Sequence, residues 1–249
     1  MDSNFAVGEL ITGAVYLIVA ARLYRLGSSN GKTTERILAS AFFFYGVSSL
    51  LYSMATMALF EPWFLPLSFA ARIIYCPTAV LVALFTRRVF RKDASWAGWL
   101  VWGSSLLLAV GIGGSILFRG DWEGFSPGSP WFWLEWTGFT YPFAWAATEA
   151  FIRHGQARRR ASIGLCDPLL CNRFLLWALF GAFQVVAYVT LFPNYTALEF
   201  NDGFTAFWDQ VYSVFLLASI AAIWLAFAPP SFYKRWISGS TATADEQEA

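Results

Sequence analysis

Seven apolar segments, each about twenty residues long, recur along the chain and are separated by short polar loops. A helix needs ~20 residues to cross the ~30 Å hydrocarbon core of a bilayer. Helices also satisfy their own backbone polar groups, as lipid requires. We therefore predict an all-α integral membrane protein, a seven-transmembrane-helix bundle. Its predicted spans are residues 5–26, 34–58, 64–87, 97–118, 131–152, 169–192 and 207–228.

The basic residues predict how this bundle is oriented. All of the 17 Lys and Arg except Arg72 and Arg119 lie in or beside the loops after spans one, three and five, or follow span seven. Cytoplasmic loops are enriched in Lys and Arg, so the N-terminus is predicted outside and the C-terminus in the cytoplasm. We expect one membrane domain, residues 1–237, in the plasma (inner) membrane. Residues 238–249 are expected to be a disordered acidic tail.

Several classes of function are excluded by residues that the chain lacks. The only lysines, Lys32, Lys92 and Lys234, lie in predicted cytoplasmic segments, whereas a retinal Schiff base needs a lysine within the bundle. The single histidine, His154, is expected to be solvated at the inner end of span five, and bis-histidine haem or a His-ligated zinc site needs more. No metal or cofactor is predicted, no basic run indicates a nucleic-acid partner, and an enzyme is not favoured.

Ionisable side chains at membrane depth are costly in lipid and normally face the bundle interior in pairs. Arg72 lies about two turns into span three, and three carboxylates, Glu9, Glu135 and Asp209, lie in the same outer third. This arrangement, one cation that faces up to three carboxylates, indicates a polar cavity that is open to the exterior. We predict that the cavity binds a small ligand. Further predicted members of this cavity are Gln210, Tyr75, Tyr141 and Tyr212.

A structural role for Arg72 remains the alternative. Arg72 could pair with one carboxylate to hold helices together, while Glu9 and Asp209 lie near enough to the interface to be hydrated. Loss of the pair in Arg72→Leu is expected to cost on the order of 1–3 kcal/mol.

A second polar group is predicted nearer the cytoplasm. Glu149 and Arg153 are four residues apart on span five, in the order that favours an intrahelical ion pair. Gln184, near the centre of span six, is expected to form an interhelical hydrogen bond. Glu135 and Glu149 are separated by close to four helical turns and so lie on nearly one face. That placement permits a proton or ion path along span five.

Span four carries no charged or amide side chain and is predicted to lie outside the polar site. Small residues in an apolar helix allow close approach of another helix, so Gly111, Gly113 and Gly114 predict a homodimer contact. Pro77 and Pro142 predict kinks in spans three and five.

Two cysteines, Cys166 and Cys171, flank the cytoplasmic entrance of span six. A cytoplasmic location argues against a structural disulfide. We expect small interfacial side chains there, with reversible acylation as the alternative.

The end of span seven resembles the exit sequence of bacterial seven-helix membrane sensor modules. The resemblance is carried by residues 228–236 (APPSFYKRW), and residues 20–25 (AARLYR) are similar. Such modules commonly pass from a last helix through a Pro-Pro, aromatic and basic stretch into a cytoplasmic kinase or cyclase. The resemblance implies a fold and a topology and transfers no functional residue. Only a short tail follows in this sequence, so we expect output through a cytoplasmic signalling partner.

Three functions remain open at this point. The leading hypothesis is a receptor-like or sensor module with a ligand in the outer cavity. The second is a small-molecule or proton/ion transporter, against which the lack of an internal repeat argues. The third is a membrane enzyme or an accessory subunit of a membrane complex, and the lack of His and metal motifs argues against most enzymes.

Overall fold

The structure is a computed structural model that describes residues 3–31, 33–57, 62–122, 127–165, 167–192, 202–233 and 235–237. Within these ranges the chain folds into long α-helices and contains no strand, which confirms the predicted all-α class. The long helices are α1 (Ser3–Ser29), α2 (Thr33–Thr56), α3 (Phe64–Phe90), α4 (Ser95–Arg119), α5 (Pro130–Ala161), α6 (Pro168–Thr190) and α7 (Asp202–Phe227). The predicted tail at 238–249 lies outside the described residues.

Six of these helices are long and apolar enough to cross a membrane, judged by length and composition. They are α1, α2, α3, α4, α6 and α7, and they make the chain a multi-pass α-helical membrane protein in a lipid bilayer. The helix that falls short is α5, whose first half carries four tryptophans and one glutamate. Those residues lower its mean hydropathy while leaving its length sufficient to span.

Helix α5 continues beyond the end predicted from the sequence. The predicted span stops at residue 152, but the helix runs to Ala161 and has 32 residues, or roughly 48 Å at 1.5 Å per residue. It ends where Gly164 adopts a left-handed conformation with φ of 72°. The last turns therefore carry the basic stretch 158–160 past the apolar part of the bundle.

Helices that are consecutive in sequence pack against each other in antiparallel pairs. Contacts also join α3 to α5 and α1 to α7, so that α1, α2, α3, α5, α6 and α7 form a closed ring, here called the six-helix ring. Helix α4 packs outside the ring on α3 and α5. The prediction that span four is peripheral is confirmed. We call the end at which α1 begins the N-terminal end, and the end at which α7 finishes the C-terminal end.

A layer of apolar side chains fills the middle of the ring, between the polar residues near its N-terminal end and those near its C-terminal end. It consists of Phe42, Phe143, Trp177, Phe180 and Ile223, all at most 5% exposed. The ring centroid of Phe180 lies 5.8 Å from that of Phe42 and 5.9 Å from that of Phe143. Close packing of this kind leaves few voids large enough for water. These five residues are called the aromatic layer below.

Two of the three glycines predicted to form a homodimer contact pack inside the monomer instead. A Cβ on Gly111 would lie 2.6 Å from the backbone nitrogen of Glu135, and one on Gly114 would lie 2.3 Å from the Trp131 ring. Gly111 and Gly114 therefore allow α4 and α5 to approach closely, and that part of the prediction is wrong. Only Gly113 has nothing within 4 Å of its Cβ position.

Candidate ligand site and buried polar network

Arg72 on α3 forms a two-pronged ion pair with Glu135 on α5. Its Nε donates to Glu135 Oε1 at 2.7 Å and its Nη2 donates to Oε2, while the two side chains are only 7% and 8% exposed. Its Nη1 donates to the carbonyls of Asp121 and Trp122, each at 3.0 Å. Every guanidinium nitrogen therefore has an acceptor. The close packing of Gly111 against the Glu135 backbone fixes the height of the pair.

This geometry favours the structural alternative for Arg72. The arginine contacts one carboxylate rather than three, and it joins α3, α5 and the segment that follows α4. Of the up to three carboxylates that Arg72 is predicted to face, it pairs with Glu135, while the Glu9 carboxyl lies in a different cluster.

Glu9 lies at the junction of α1, α2 and α7 and is 5% exposed. The Tyr212 hydroxyl donates to Glu9 Oε1 at 2.7 Å, and the Ser49 hydroxyl contacts Oε2. We call Glu9, Ser49 and Tyr212 the Glu9 cluster. Among the described residues no Lys or Arg pairs with this carboxyl. A buried carboxylate without a counter-charge is costly, so the cluster suits a proton or a cationic ligand group.

Helix α2 fixes the position of Glu9 through two serines four residues apart. Ser53 Oγ donates to the Ala6 carbonyl at 2.7 Å, and Ser49 Oγ lies 3.0 Å from the Glu9 carbonyl. Ser49 has one hydroxyl proton but two Glu9 oxygens in reach. A proton on the Glu9 carboxyl that is donated to Ser49 Oγ would complete this set of hydrogen bonds.

The other predicted members of the outer cavity lie in different parts of the structure and do not line one common cavity. Tyr212 belongs to the Glu9 cluster, and Asp209 is half-buried in the first turns of α7. Gln210 is exposed on α7. Tyr141 donates its hydroxyl to the Leu100 carbonyl on α4, so it lies in the α4–α5 contact and outside the ring.

Gln184 is the centre of a polar network in the middle of the ring. Its side chain is fully buried, its Oε1 accepts from the Tyr45 hydroxyl at 2.9 Å, and its Nε2 donates to Tyr16 at 2.9 Å and to Ser219 at 2.8 Å. One amide thus connects α1, α2, α6 and α7. The expected interhelical hydrogen bond is confirmed, with three partners.

Two further tyrosines extend this network to α3. The hydroxyls of Tyr75 on α3 and Tyr188 on α6 are hydrogen-bonded. The Tyr45 ring stacks on Tyr16 with centroids 4.3 Å apart and meets the edge of Tyr75 at 5.1 Å. We call Tyr16, Tyr45, Tyr75, Tyr188, Gln184 and Ser219 the central network. It lies between the Glu9 cluster and the aromatic layer.

At the C-terminal end, Glu149 pairs with a residue that was not predicted, Arg91, which directly follows α3. Arg91 Nε donates to Glu149 Oε1 at 2.7 Å. Arg153 instead donates to the Phe90 carbonyl at 3.2 Å and to Gln156 Oε1 at 3.1 Å. The predicted intrahelical pair of Glu149 and Arg153 is therefore wrong, because Glu149 pairs with Arg91 while Arg153 bonds other acceptors.

The predicted alignment of Glu135 and Glu149 on one face of α5 is confirmed, since one pairs with an arginine of α3 and the other with the arginine that directly follows α3. Apolar side chains, Ala79, Val82 and Ala146 among them, are completely buried along the stretches of α3 and α5 between the two pairs. A proton or ion path along α5 stays a prediction.

His154 and Cys171 connect α5 to α6. His154 is half-buried, and its Nδ1 lies 2.9 Å from the Cys171 carbonyl oxygen. The expectation of a solvated histidine is wrong. The Cys171 side chain is buried, which closes it to acylation, and Cys166 lies outside the described residues.

Sequence reasoning missed several members of these clusters. They are Tyr16, Tyr45, Ser49, Tyr188, Ser219 and Arg91. A signal existed for two of them, because Tyr16 follows Glu9 by two helical turns and Ser49 follows Tyr45 by one. Hydroxyl groups are common in apolar spans, so the sequence alone does not show which of them face a buried carboxyl or amide.

No three His, Cys, Asp or Glu side chains in the described part of the chain are placed to hold a metal ion. Comparisons with protein families, curated proteins and solved structures found no match. The function is therefore argued from the geometry of the clusters.

Proposed function

We propose that this chain is a seven-helix membrane receptor-like or sensor module. In this proposal all seven helices span the plasma (inner) membrane, and the N-terminus is outside while the C-terminus is cytoplasmic. A small ligand binds at the outer end of the six-helix ring and changes the state of a cytoplasmic partner. The observation that carries the proposal is Glu9, a buried carboxyl whose partners among the described residues are hydroxyls and not a cation.

The Glu9 cluster supports ligand binding better than Arg72 does. All nitrogens of Arg72 already have acceptors, so a ligand would have to break a two-pronged ion pair. At Glu9 a ligand need only displace neutral hydroxyl donors. A ligand amine would also supply the counter-charge that no described Lys or Arg gives this carboxyl, and buried charge pairs gain strength in a low dielectric.

The connections of α7 support a route from this site to the cytoplasm. Tyr212 in the Glu9 cluster and Ser219 in the central network lie on the same helix, two turns apart. The segment after α7 is held to α6, because Asn172 Nδ2 donates to the Tyr233 hydroxyl at 2.8 Å. A ligand that displaces Tyr212 would act on α7, and the segment that follows α7 makes this contact with α6.

Transport of protons or ions is the second candidate function. The Glu9 cluster and the central network supply groups that can pass protons over the outer half of the ring. The aromatic layer argues against a complete path, because Phe42, Phe143 and Phe180 are fully buried between this network and the Glu149 pair. An accessory subunit is the remaining alternative. An adjacent enzyme operon would favour the accessory subunit, whereas an adjacent kinase gene would favour the sensor.

A thermal-shift screen of the purified protein tests the proposed site. Small polar compounds, amines included, are added in detergent to wild type, to Glu9→Gln and to Asp93→Asn. Asp93 is exposed near the C-terminal end and controls for the loss of one carboxylate. We expect compounds that stabilise wild type and Asp93→Asn but not Glu9→Gln. Compounds that stabilise Glu9→Gln equally well would contradict a ligand site at Glu9.

A further inference from the structure

A groove with a basic rim lies between the C-terminal parts of α3 and α5 and the start of α6. It encloses a cavity of about 350 Å³ at the C-terminal end of the ring. Arg153 and Arg160 of α5 line it, and its described lining contains no acidic side chain. We call this feature the basic groove. It is separate from the Glu9 cluster, since the aromatic layer and the Glu149 pair lie between them.

The two arginines face the groove together. They are seven residues apart, so they lie on one face of α5 and roughly 10 Å apart along its axis. Arg153 is half-buried and is held in place by the Phe90 carbonyl and Gln156. Arg160 is exposed, and its side chain has no hydrogen bond in the described structure. One arginine is thus pre-positioned, while the other is available to an added anion.

The walls of the groove are apolar. Phe90, Ala157 and Phe174 contribute buried or half-buried surface, while Val89 and Leu170 are 42% and 43% exposed at its edges. A soluble anion would gain little from such walls. A molecule with a phosphate next to hydrocarbon would use both the arginines and the apolar edges.

We infer that the basic groove binds the headgroup of an anionic phospholipid. The phosphate lies between Arg153 and Arg160, and the upper part of the acyl chains lies along Val89 and Leu170. The planar guanidinium fork matches phosphate oxygens and stays charged at any physiological pH. Charge complementarity favours an anionic over a zwitterionic lipid, because the described lining of the groove offers two cations and no carboxylate.

The test measures lipid-dependent melting temperature in detergent, which gives an apparent dissociation constant when lipid is titrated. Phosphatidylglycerol is compared with phosphatidylcholine and with inorganic phosphate. We expect stabilisation by phosphatidylglycerol alone. Equal stabilisation by phosphatidylcholine would overturn the charge argument, and equal stabilisation by inorganic phosphate would overturn the choice of a lipid.

Variants then locate the site. Arg160→Gln is expected to weaken phosphatidylglycerol binding about fivefold, and Arg153→Gln/Arg160→Gln about 25-fold. Arg158→Gln removes the same charge from an exposed position outside the groove, and binding is expected to stay within about twofold of wild type. An equal loss in Arg158→Gln and Arg160→Gln would show attraction to the whole basic segment and overturn the groove.

Arg153 also binds the Phe90 carbonyl at the end of α3, so its loss could lower stability without any effect on lipid. A second variant that leaves the arginines in place separates the two effects. Ala157→Leu fills the groove without changing any charge, and Ala157 lines it. We expect Ala157→Leu to lose phosphatidylglycerol stabilisation while its lipid-free melting temperature stays within the range of the arginine variants. Full phosphatidylglycerol binding by Ala157→Leu would contradict the inference.

Discussion

The ion pair of Arg72 and Glu135 provides the sharpest stability prediction. Arg72→Leu leaves a carboxylate that is 8% exposed without its cation and also removes a donor to two backbone carbonyls. Removal of one partner from a buried pair costs about 3–5 kcal/mol. Because this two-pronged pair is buried, we expect the free energy of unfolding to fall by more than the 1–3 kcal/mol that the sequence alone suggests for a broken pair.

The comparison with Glu135→Leu and with the double variant separates the pair from its surroundings. In Arg72→Leu/Glu135→Leu no buried charge remains unpaired, so we expect it to lose less than the sum of the two single variants. The coupling should be at the upper end of the range of about 0.5–3 kcal/mol seen for contacting residues. The two carbonyls that Arg72 caps are still lost, so recovery is expected to be incomplete.

The assay is reversible unfolding by sodium dodecyl sulfate titration in mixed micelles, followed by circular dichroism. Arg119→Leu on α4 is the control, because Arg119 is exposed and its loss is expected to change stability by at most about 0.5 kcal/mol. A loss below about 1 kcal/mol in Arg72→Leu, or strict additivity in the double variant, would refute the buried-pair argument.

Three further predictions concern packing and topology. Gln184→Leu is expected to cost about 1–3 kcal/mol in the same titration, because it strands buried hydroxyl groups; a neutral result would contradict the central network. Gly114→Leu should lower the melting temperature far more than Gly113→Leu, since only the first Cβ meets an indole ring, and similar temperatures would contradict the α4–α5 contact. A reporter fused after Ala249 should report cytoplasm and one before Phe5 the exterior; a cytoplasmic N-terminus would overturn the proposed topology.

The helices could be predicted from the sequence because bilayer thickness limits them. Apolar length alone gives the helix type and approximate bounds of α1 and α4. The extra turns of α5 were missed because hydropathy marks where a helix leaves lipid and not where the helix ends. Its end depends on Gly164, a local signal in a polar stretch.

The partners of the polar residues were harder to predict than their presence. Arg72 and Glu135 were both recognised as buried ionisable groups, but four carboxylate and arginine positions at similar depth allow several pairings. The choice among these pairings depends on which helices are neighbours. The close α4–α5 contact at Gly111 positions Glu135 for its pair with Arg72. Glu149 shows the same effect, because the α3–α5 contact offers Arg91 in place of Arg153.

Proton flux tests most directly the claim that the aromatic layer closes the ring between the proposed Glu9 site and the C-terminal end. Proteoliposomes carrying a pH-sensitive dye are given a pH gradient, and the rate of its decay is compared with protein-free liposomes, with a protonophore as positive control. The account predicts that wild type and Glu9→Gln decay no faster than empty liposomes. Fast decay in wild type that Glu9→Gln abolishes would contradict the account and establish a proton pathway through Glu9.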